Sequence, residues 1–230
     1  MQILLALGLL ILAYLLGSIP FGLVIVKAAT GRDIREIESG RTGGTNAMRA
    51  AGFWAGLFTA LLDLFKGTVM VWLAKVGFPL GSAAGNVWMH ILTPLAVILG
   101  HNYSIFIIKR DEQGRLRLRG GAGGAPCVGG SVGLWAPSFF VIVPMAAIIL
   151  FGIGYASITT MSVALISTIT FTILAISGHA PWQYALYGIF AEILLVLALL
   201  PNIRRLVAGQ ERLVGWRARR KKDSSREKVD

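Results

Sequence analysis

The sequence predicts an all-α integral membrane protein with seven transmembrane helices, one of them short and glycine-rich, the N-terminus outside and the C-terminus cytoplasmic. Three observations carry this reading. Of the 230 residues, 55% are apolar and 14% charged, where a soluble domain carries about 25% charged residues, and mean hydropathy is +0.70. The apolar residues fall into runs long enough to cross a bilayer core of roughly 30 Å, which takes about 20 residues of helix. Twenty of the 22 lysines and arginines lie in three segments separated by connections that hold none.

Met1 to Val26 is apolar almost throughout and has no basic residue ahead of its hydrophobic stretch, so it reads as a retained first span and not a cleaved signal peptide. Ala55 to Val76, Val87 to Ile108, Pro137 to Gly154, Ile158 to Ser177 and Tyr184 to Leu200 are five further runs of suitable length. Between Arg119 and Pro137 lies a glycine-rich apolar stretch too short to span comfortably, either a re-entrant loop or a short, broken helix lining a cavity. Topology decides how to count it, because cytoplasmic loops collect Lys and Arg. The basic segments are Lys27 to Arg49, Lys109 to Arg119 and the tail from Arg204, whereas the connections near Gly81, Ala136 and His179 contain no Lys or Arg. Counting the glycine-rich element as a span puts all three basic segments on one side. The chain then divides into a polytopic membrane domain, 1–211, and a basic tail, 212–230, where a juxtamembrane cluster suits phospholipid headgroups better than nucleic acid.

The same composition excludes several classes. A single cysteine, Cys127, cannot form an intramolecular disulfide, and no Cys/His cluster has metal-ligand spacing. No Gly-x-Ser-x-Gly elbow appears in a credible context, and neither glycine-rich segment ends in the Gly-Lys-Ser/Thr of a P-loop.

What remains is a set of polar residues at the basic face. Ser39, Gly40, Gly43, Thr45, Asn46 and Arg49 lie in one loop that joins flexible glycines, hydroxyls, an amide and a guanidinium. Backbone N–H groups of such a turn cradle phosphate oxygens and an arginine adds a bidentate fork; a plain polar loop capped by Ser or Thr is the competing account. Arg119, Gly120, Gly121 and Gly123 form a second glycine turn beside a guanidinium. His101, at the inner end of the third span, suits a proton-transfer or phosphate role as well as a purely structural one. Ser157, Asn202 and Glu211 complete the set at the last two internal connections. Within the spans, Asp63 and Lys66 share a helix face and can pair, and Glu192 has no partner in its own helix.

In combination these segments resemble one family. Gly17-Ser18-Ile19-Pro20-Phe21-Gly22 is similar to the opening signature of the bacterial acyl-phosphate:glycerol-3-phosphate acyltransferases, seven-span enzymes of phospholipid synthesis. Ser39-Gly40, Gly43, Thr45-Asn46 and Arg49 resemble that family's first internal motif, Asp63-Leu64-Phe65-Lys66-Gly67 its second span, and Gly100-His101-Asn102-Tyr103 its third-span exit. Gly154-Tyr155-Ala156-Ser157 and Asn202-Ile203-Arg204-Arg205-Leu206, with Gly209 and Glu211, follow in the same order. The resemblance implies transfer of a fatty acyl group from acyl phosphate to the 1-hydroxyl of glycerol 3-phosphate, giving lysophosphatidate and inorganic phosphate. It implies an inner-membrane location with the active site facing the cytoplasm, and neither a cofactor nor an acyl carrier protein. It casts Ser39, Arg49, His101 and Asn202 as catalytic, and Gly40, Gly43, Thr45, Asn46, Arg119, Gly120, Gly121, Gly123, Ser157 and Glu211 as substrate- or phosphate-binding.

The chain is a divergent member of that pattern. Ala122 stands where the family's Gly-Gly-Lys-Gly loop has lysine, Leu199 stands in place of a histidine, Ser104 in place of a proline, and Arg41-Thr42 in place of an Asn-Pro-like pair. Loss of one charge-assisted phosphate contact costs about 1.5–3 kcal/mol, roughly ten- to a hundredfold in rate; Arg119 is the expected substitute. An impaired paralogue, a transporter or binder of a phosphorylated metabolite, and an acyltransferase for another phosphorylated acceptor are the alternatives.

Overall fold

The computed structural model describes residues 1–80, 86–110, 113–114, 116–218 and 220; the predicted connection at Gly81, Arg115 and the tail's Arg219 and 221–230 lie outside the described residues. The first predicted span is two helices, α1 (Gln2–Ser18) and α2 (Phe21–Thr30). Pro20 has no N–H to continue the ladder, so Leu16 O takes the Ile19 N–H and Phe21 N–H turns back to Ile19 O. A single turn at Ile34–Glu36 leads into α3 (Gly44–Ala51), followed by α4 (Phe53–Gly77) and α5 (Val87–Asn102). The glycine-rich stretch is a short, largely buried helix, α6 (Gly124–Leu134), and α7 (Ser138–Ile153), α8 (Ala156–Ile176) and α9 (Gln183–Val207) complete the helical body.

Among the described residues, the stretches Gln2–Thr30, Phe53–Gly77, Ala156–Ile176 and Gln183–Val207 are helical, long and apolar enough to cross a membrane, with Ser138–Ile153 a shorter apolar helix. The third predicted span ends earlier than the hydropathy suggests. Ile108, read as its last residue, instead starts an antiparallel hairpin of β1 (Ile108–Arg110) and β2 (Leu116–Leu118), in which Ile108 pairs with Leu118. The membrane body is helical as expected, and this small hairpin is an addition to it.

Small residues set the packing. α6 lies against α4 so closely that a Cβ on Gly67 would stand 2.4 Å from Pro126 O and one on Gly129 would stand 1.8 Å from Leu64 O. In hydrocarbon, where apolar side chains gain little by leaving lipid, such backbone contact supplies the van der Waals attraction that holds helices together. Lys75 Nζ caps the far end of α6 by donating to the Gly133 and Leu134 carbonyls, both at 2.8 Å, where a cation also meets the negative end of the helix dipole.

The predicted Asp63–Lys66 pair forms inside this body, with Lys66 Nζ 2.9 Å from Asp63 Oδ1. Lys66 also donates to Gly17 O at 2.9 Å and Ile19 O at 3.0 Å, so the ion pair is fastened to the break between α1 and α2. Glu192 is half-buried on α9, and its Oε2 has no hydrogen-bond partner among the described residues.

Beyond α9 the chain folds back. Leu213 bridges to Tyr155, Val214 N–H donates to Gly154 O at 2.8 Å, and Trp216 Nε1 donates to Phe151 O at 3.0 Å. The start of the predicted tail is therefore bound to the α7–α8 turn, just ahead of Ser157 in the first turn of α8.

Candidate active site

The loop from residue 37 to α3 is shaped by Asn46, whose Nδ2 lies within hydrogen-bonding distance of Ile34 O (3.2 Å), Ile37 O (3.0 Å) and Arg41 O (2.9 Å). Gly40 adopts φ +64°, a left-handed conformation favoured by glycine. Gly43 provides the N-cap of α3, so Thr45 and Arg49 fall on that helix one turn apart.

The second glycine loop passes over the end of α5. Gly120 N–H donates to Asn102 O at 3.0 Å and Gly121 N–H to His101 O at 2.9 Å, which satisfies carbonyls that α5 leaves free at its C-terminus. A Cβ on Gly121 would lie 1.9 Å from His101 Nε2, and one on Gly123 2.7 Å from Asn102 Oδ1. Glycine is required here because the loop rests on two side chains. The Gly120 and Gly121 N–H groups, expected to cradle a phosphate, both donate to α5 carbonyls in this arrangement.

His101 lies beneath that loop, buried, with Nδ1 3.5 Å from Asp63 Oδ1 and 3.4 Å from Lys66 Nζ. It belongs to the buried ion-pair cluster and does not line the clefts described next. Ser104, the residue that departs from the proline of the family pattern, donates its Oγ to Ser18 O at 2.5 Å and joins the α5 exit to α1.

Two adjoining cavities open at this end of the bundle, sharing Ser39, Arg205 and Arg212. The larger, about 240 Å³, is also lined by Arg35, Glu38, Gly40 and Arg119. The smaller, about 70 Å³, is lined by Thr45, Arg49, Ser157, Asn202 and Glu211, together with Arg41, Ala122 and Leu199. The fold thus gathers most of the predicted site from five separate segments. Gly43, Asn46, His101, Gly120, Gly121 and Gly123 are not among the lining residues of either cavity.

The charges are unevenly paired. Arg212 pairs with Glu38 at 2.6 Å and Arg205 with Glu211 at 3.5 Å, and Asn202 Nδ2 donates to Glu211 Oε1 at 3.0 Å. Arg119 Nη2 donates to Ser39 O at 2.8 Å in the larger cavity. Arg49 has no hydrogen-bond or ion-pair partner among the described residues, and burial lowers its pKa. Ser157 Oγ and Asn202 Oδ1 are buried polar atoms without a hydrogen-bond partner among the described residues. Such atoms cost about 1–3 kcal/mol each unless a ligand or water satisfies them. A free guanidinium, an unpaired hydroxyl and an unpaired amide oxygen around one small cavity suit an anion that also carries hydroxyl groups. Among the described residues no group of three or more His, Cys, Asp or Glu is placed to hold a metal ion.

Arg41, Arg205 and Arg212 are lining residues that the sequence reading did not select. The signal for Arg41 was its place in the same loop, between Gly40 and Gly43.

This architecture, an apolar helical bundle with a basic, hydroxyl-lined cavity at one end, is that of an integral membrane protein. A family model described as glycerol-3-phosphate acyltransferase matches residues 7–209. Glycerol-3-phosphate acyltransferase 2 of Moorella thermoacetica is 35% identical over 213 residues, covering 91% of this chain and 97% of the relative. The glycerol-3-phosphate acyltransferase of Thermus thermophilus is 35% identical over 214 residues, with 91% and 95% covered. The crystal structure of PlsY, an integral membrane glycerol 3-phosphate acyltransferase in its glycerol 3-phosphate form, superposes with a TM-score of 0.71 at 31% identity, covering 91% of this chain and 96% of that one. Its lysophosphatidic acid form gives 0.68 at 30% identity, with 91% and 95% covered. The chain belongs to the glycerol-3-phosphate acyltransferase family.

Proposed function

We propose that the protein transfers a fatty acyl group from acyl phosphate to the 1-hydroxyl of glycerol 3-phosphate, releasing lysophosphatidate and inorganic phosphate. The observation that carries this reading is the small cavity, in which Arg49, Ser157 and Asn202 have polar groups without a partner among the described residues, beside Ser39 and Thr45. Family membership supports the same acceptor.

In the reaction, the 1-hydroxyl oxygen attacks the acyl carbonyl carbon. The bond from that carbon to the phosphate oxygen breaks, and the hydroxyl proton passes to the departing phosphate. Because the donor is an activated mixed anhydride whose leaving group can accept the proton, placing the two substrates and stabilising charge is the protein's main task. Arg49 and Thr45 hold phosphate oxygens, Ser39 and Asn202 contact the reacting groups, and Ser157 orients the glycerol hydroxyls. Arg119 and Gly40 border the larger cavity, through which a phosphate approaches. His101 acts through the loop above it, by fixing Gly121, and is a positioning residue in this scheme. The apolar helices beside the cavity accommodate the acyl chain.

We read α1–α2, α4, α5, α6, α7, α8 and α9 as seven crossings of a bacterial inner membrane, with the N-terminus outside and the cavity facing the cytoplasm. The basic residues then collect on one side. Because Cys127 is buried, introduced cysteines report cleanly: an impermeant maleimide added to intact cells should label Ala136→Cys and spare Gln210→Cys. The opposite pattern would invert the topology. The catalytic reading is tested by identifying the product of palmitoyl phosphate and glycerol 3-phosphate by mass spectrometry. Lysophosphatidate is expected; free palmitate alone would contradict it.

A further inference from the structure

Two guanidinium groups that line the small cavity have no ion-pair partner among the described residues. Arg212 and Arg205 are matched by Glu38 and Glu211, whereas Arg49 and Arg41 have no carboxylate within ion-pair distance among the described residues. Arg41 is partly buried and rigidly held: Nη1 donates to Gly121 O at 2.7 Å and Nη2 to Ala198 O. These carbonyls come from the second glycine loop and from α9, so the guanidinium bridges the two walls of the cavity that it lines. It also lies next to Ala122, the residue after its Gly121 anchor and itself part of the cavity wall.

Burial, with Arg119 and Arg205 nearby, lowers the Arg41 pKa to about 10, so the group remains charged at neutral pH. Collecting like charges at a partly buried point is unfavourable unless an anion completes the set. Two unmatched guanidinium groups match the charge of a phosphate monoester, about −1.5 to −2 at pH 7. Arg119 donates to Ser39 O in the larger cavity and is not a lining residue of the smaller one; Arg41 is.

We propose that Arg41 is a phosphate-binding residue of this chain, supplying from the first loop the positive charge that Ala122 does not supply from the second. The inference rests on the acyltransfer reading for the identity of the substrate but not for the binding event itself. A guanidinium anchored on two carbonyls is held in place and retains further N–H donors.

The test measures equilibrium binding of glycerol 3-phosphate and of inorganic phosphate to the purified full-length protein in nanodiscs, by titration calorimetry, for wild type, Arg41→Gln, Arg41→Lys and Arg41→Gln with Ala122→Lys. Arg41→Gln removes the charge and, being shorter, also the tethers to Gly121 O and Ala198 O, so the added lysine at 122 is what separates the loss of charge from the loss of tether. Arg41→Gln should weaken both ligands about tenfold or more, Arg41→Lys should weaken them less, and the added lysine at 122 should recover most of the loss. Unchanged affinity in Arg41→Gln, or a loss that Ala122→Lys leaves in place, overturns the inference, because a purely structural tether is not replaced from another loop. Should Arg41→Gln fail to fold, the same comparison is made between wild type, Arg41→Lys and Arg41→Lys with Ala122→Lys, with tightening in the last expected and indifference contradicting. Phosphate binding that depends on Arg41 in a protein with no acyl transfer would end the enzymatic reading and leave this one standing. Acyl transfer with an unaltered KM for glycerol 3-phosphate in Arg41→Gln would do the reverse.

Discussion

Lys66 Nζ, 2.9 Å from Asp63 Oδ1, also donates to Gly17 O, the carbonyl that a continuous first helix would have paired with the Phe21 N–H. One buried cation thus neutralises a carboxylate on its own helix and satisfies the backbone at the break created by Pro20. His101 completes the cluster from α5, so the first, second and third apolar segments meet at these charges. The site loop rests directly on them through His101 and Gly121.

Removing Lys66 leaves Asp63 buried without its counter-charge. Lys66→Met should therefore cost about 3–5 kcal/mol, read as a lowered thermal unfolding midpoint in detergent. Adding Asp63→Leu should recover part of that loss, although the Gly17 carbonyl stays unpaired. A single variant as stable as wild type would contradict the assignment.

The close approach of Gly121 to His101 makes a sharper steric prediction. Gly121→Ala brings a Cβ to within 1.9 Å of His101 Nε2 and should destabilise by about 1–3 kcal/mol, with turnover falling as the loop shifts. Gly43→Ala is the contrasting case: nothing lies within 4 Å of its added Cβ and its φ of −83° suits any residue, so thermal stability should hold. Equal loss in both would mean that the contact with His101 does not decide, because the lower unfolded-state entropy of alanine favours folding.

Arg49 tests the anion site itself. Arg49→Ala should raise the KM for a phosphate-bearing substrate or lower turnover by at least about tenfold, while Arg49→Lys keeps charge but not the planar fork and should fall between. Wild-type kinetics in Arg49→Ala would remove it from the site.

The Arg212–Glu38 pair makes a negative prediction. Both side chains are about half exposed, at 49% and 46%, so water screens the attraction. Glu38→Gln should change stability by less than about 1 kcal/mol, and a larger drop would show that the rim of the cavity is structurally committed.

Much of the fold was legible because the bilayer imposes a length and a sign on its segments. The α4, α8 and α9 runs follow from hydropathy and the Asp63–Lys66 pairing from helical spacing, while the glycine-rich stretch, open between a re-entrant loop and a short helix until the distribution of Lys and Arg favoured a span, is the short helix α6. The break at Pro20 was not read, since hydropathy averages over a proline that costs an N–H without costing apolar character. The β1–β2 hairpin was missed for a related reason: Ile105 to Ile108 continue the apolar run although Tyr103 already lies outside α5. In the site, residue types identified Ser39, Thr45, Arg49, Ser157, Asn202 and Glu211 as anion-binding candidates, and the fold brings them to one cavity. His101, Gly120, Gly121 and Gly123 carry suitable chemistry in a sequence that holds no information on depth, and none of them lines either cavity. Arg41 was passed over because its carbonyl partners, Gly121 and Ala198, are 80 and 157 residues away.

The most direct measurement is the time course of inorganic phosphate release from palmitoyl phosphate by the purified wild-type protein, with and without glycerol 3-phosphate. The account predicts release that depends on glycerol 3-phosphate and is matched mole for mole by lysophosphatidate. Release at the same rate without acceptor, or none from a folded sample, would contradict it.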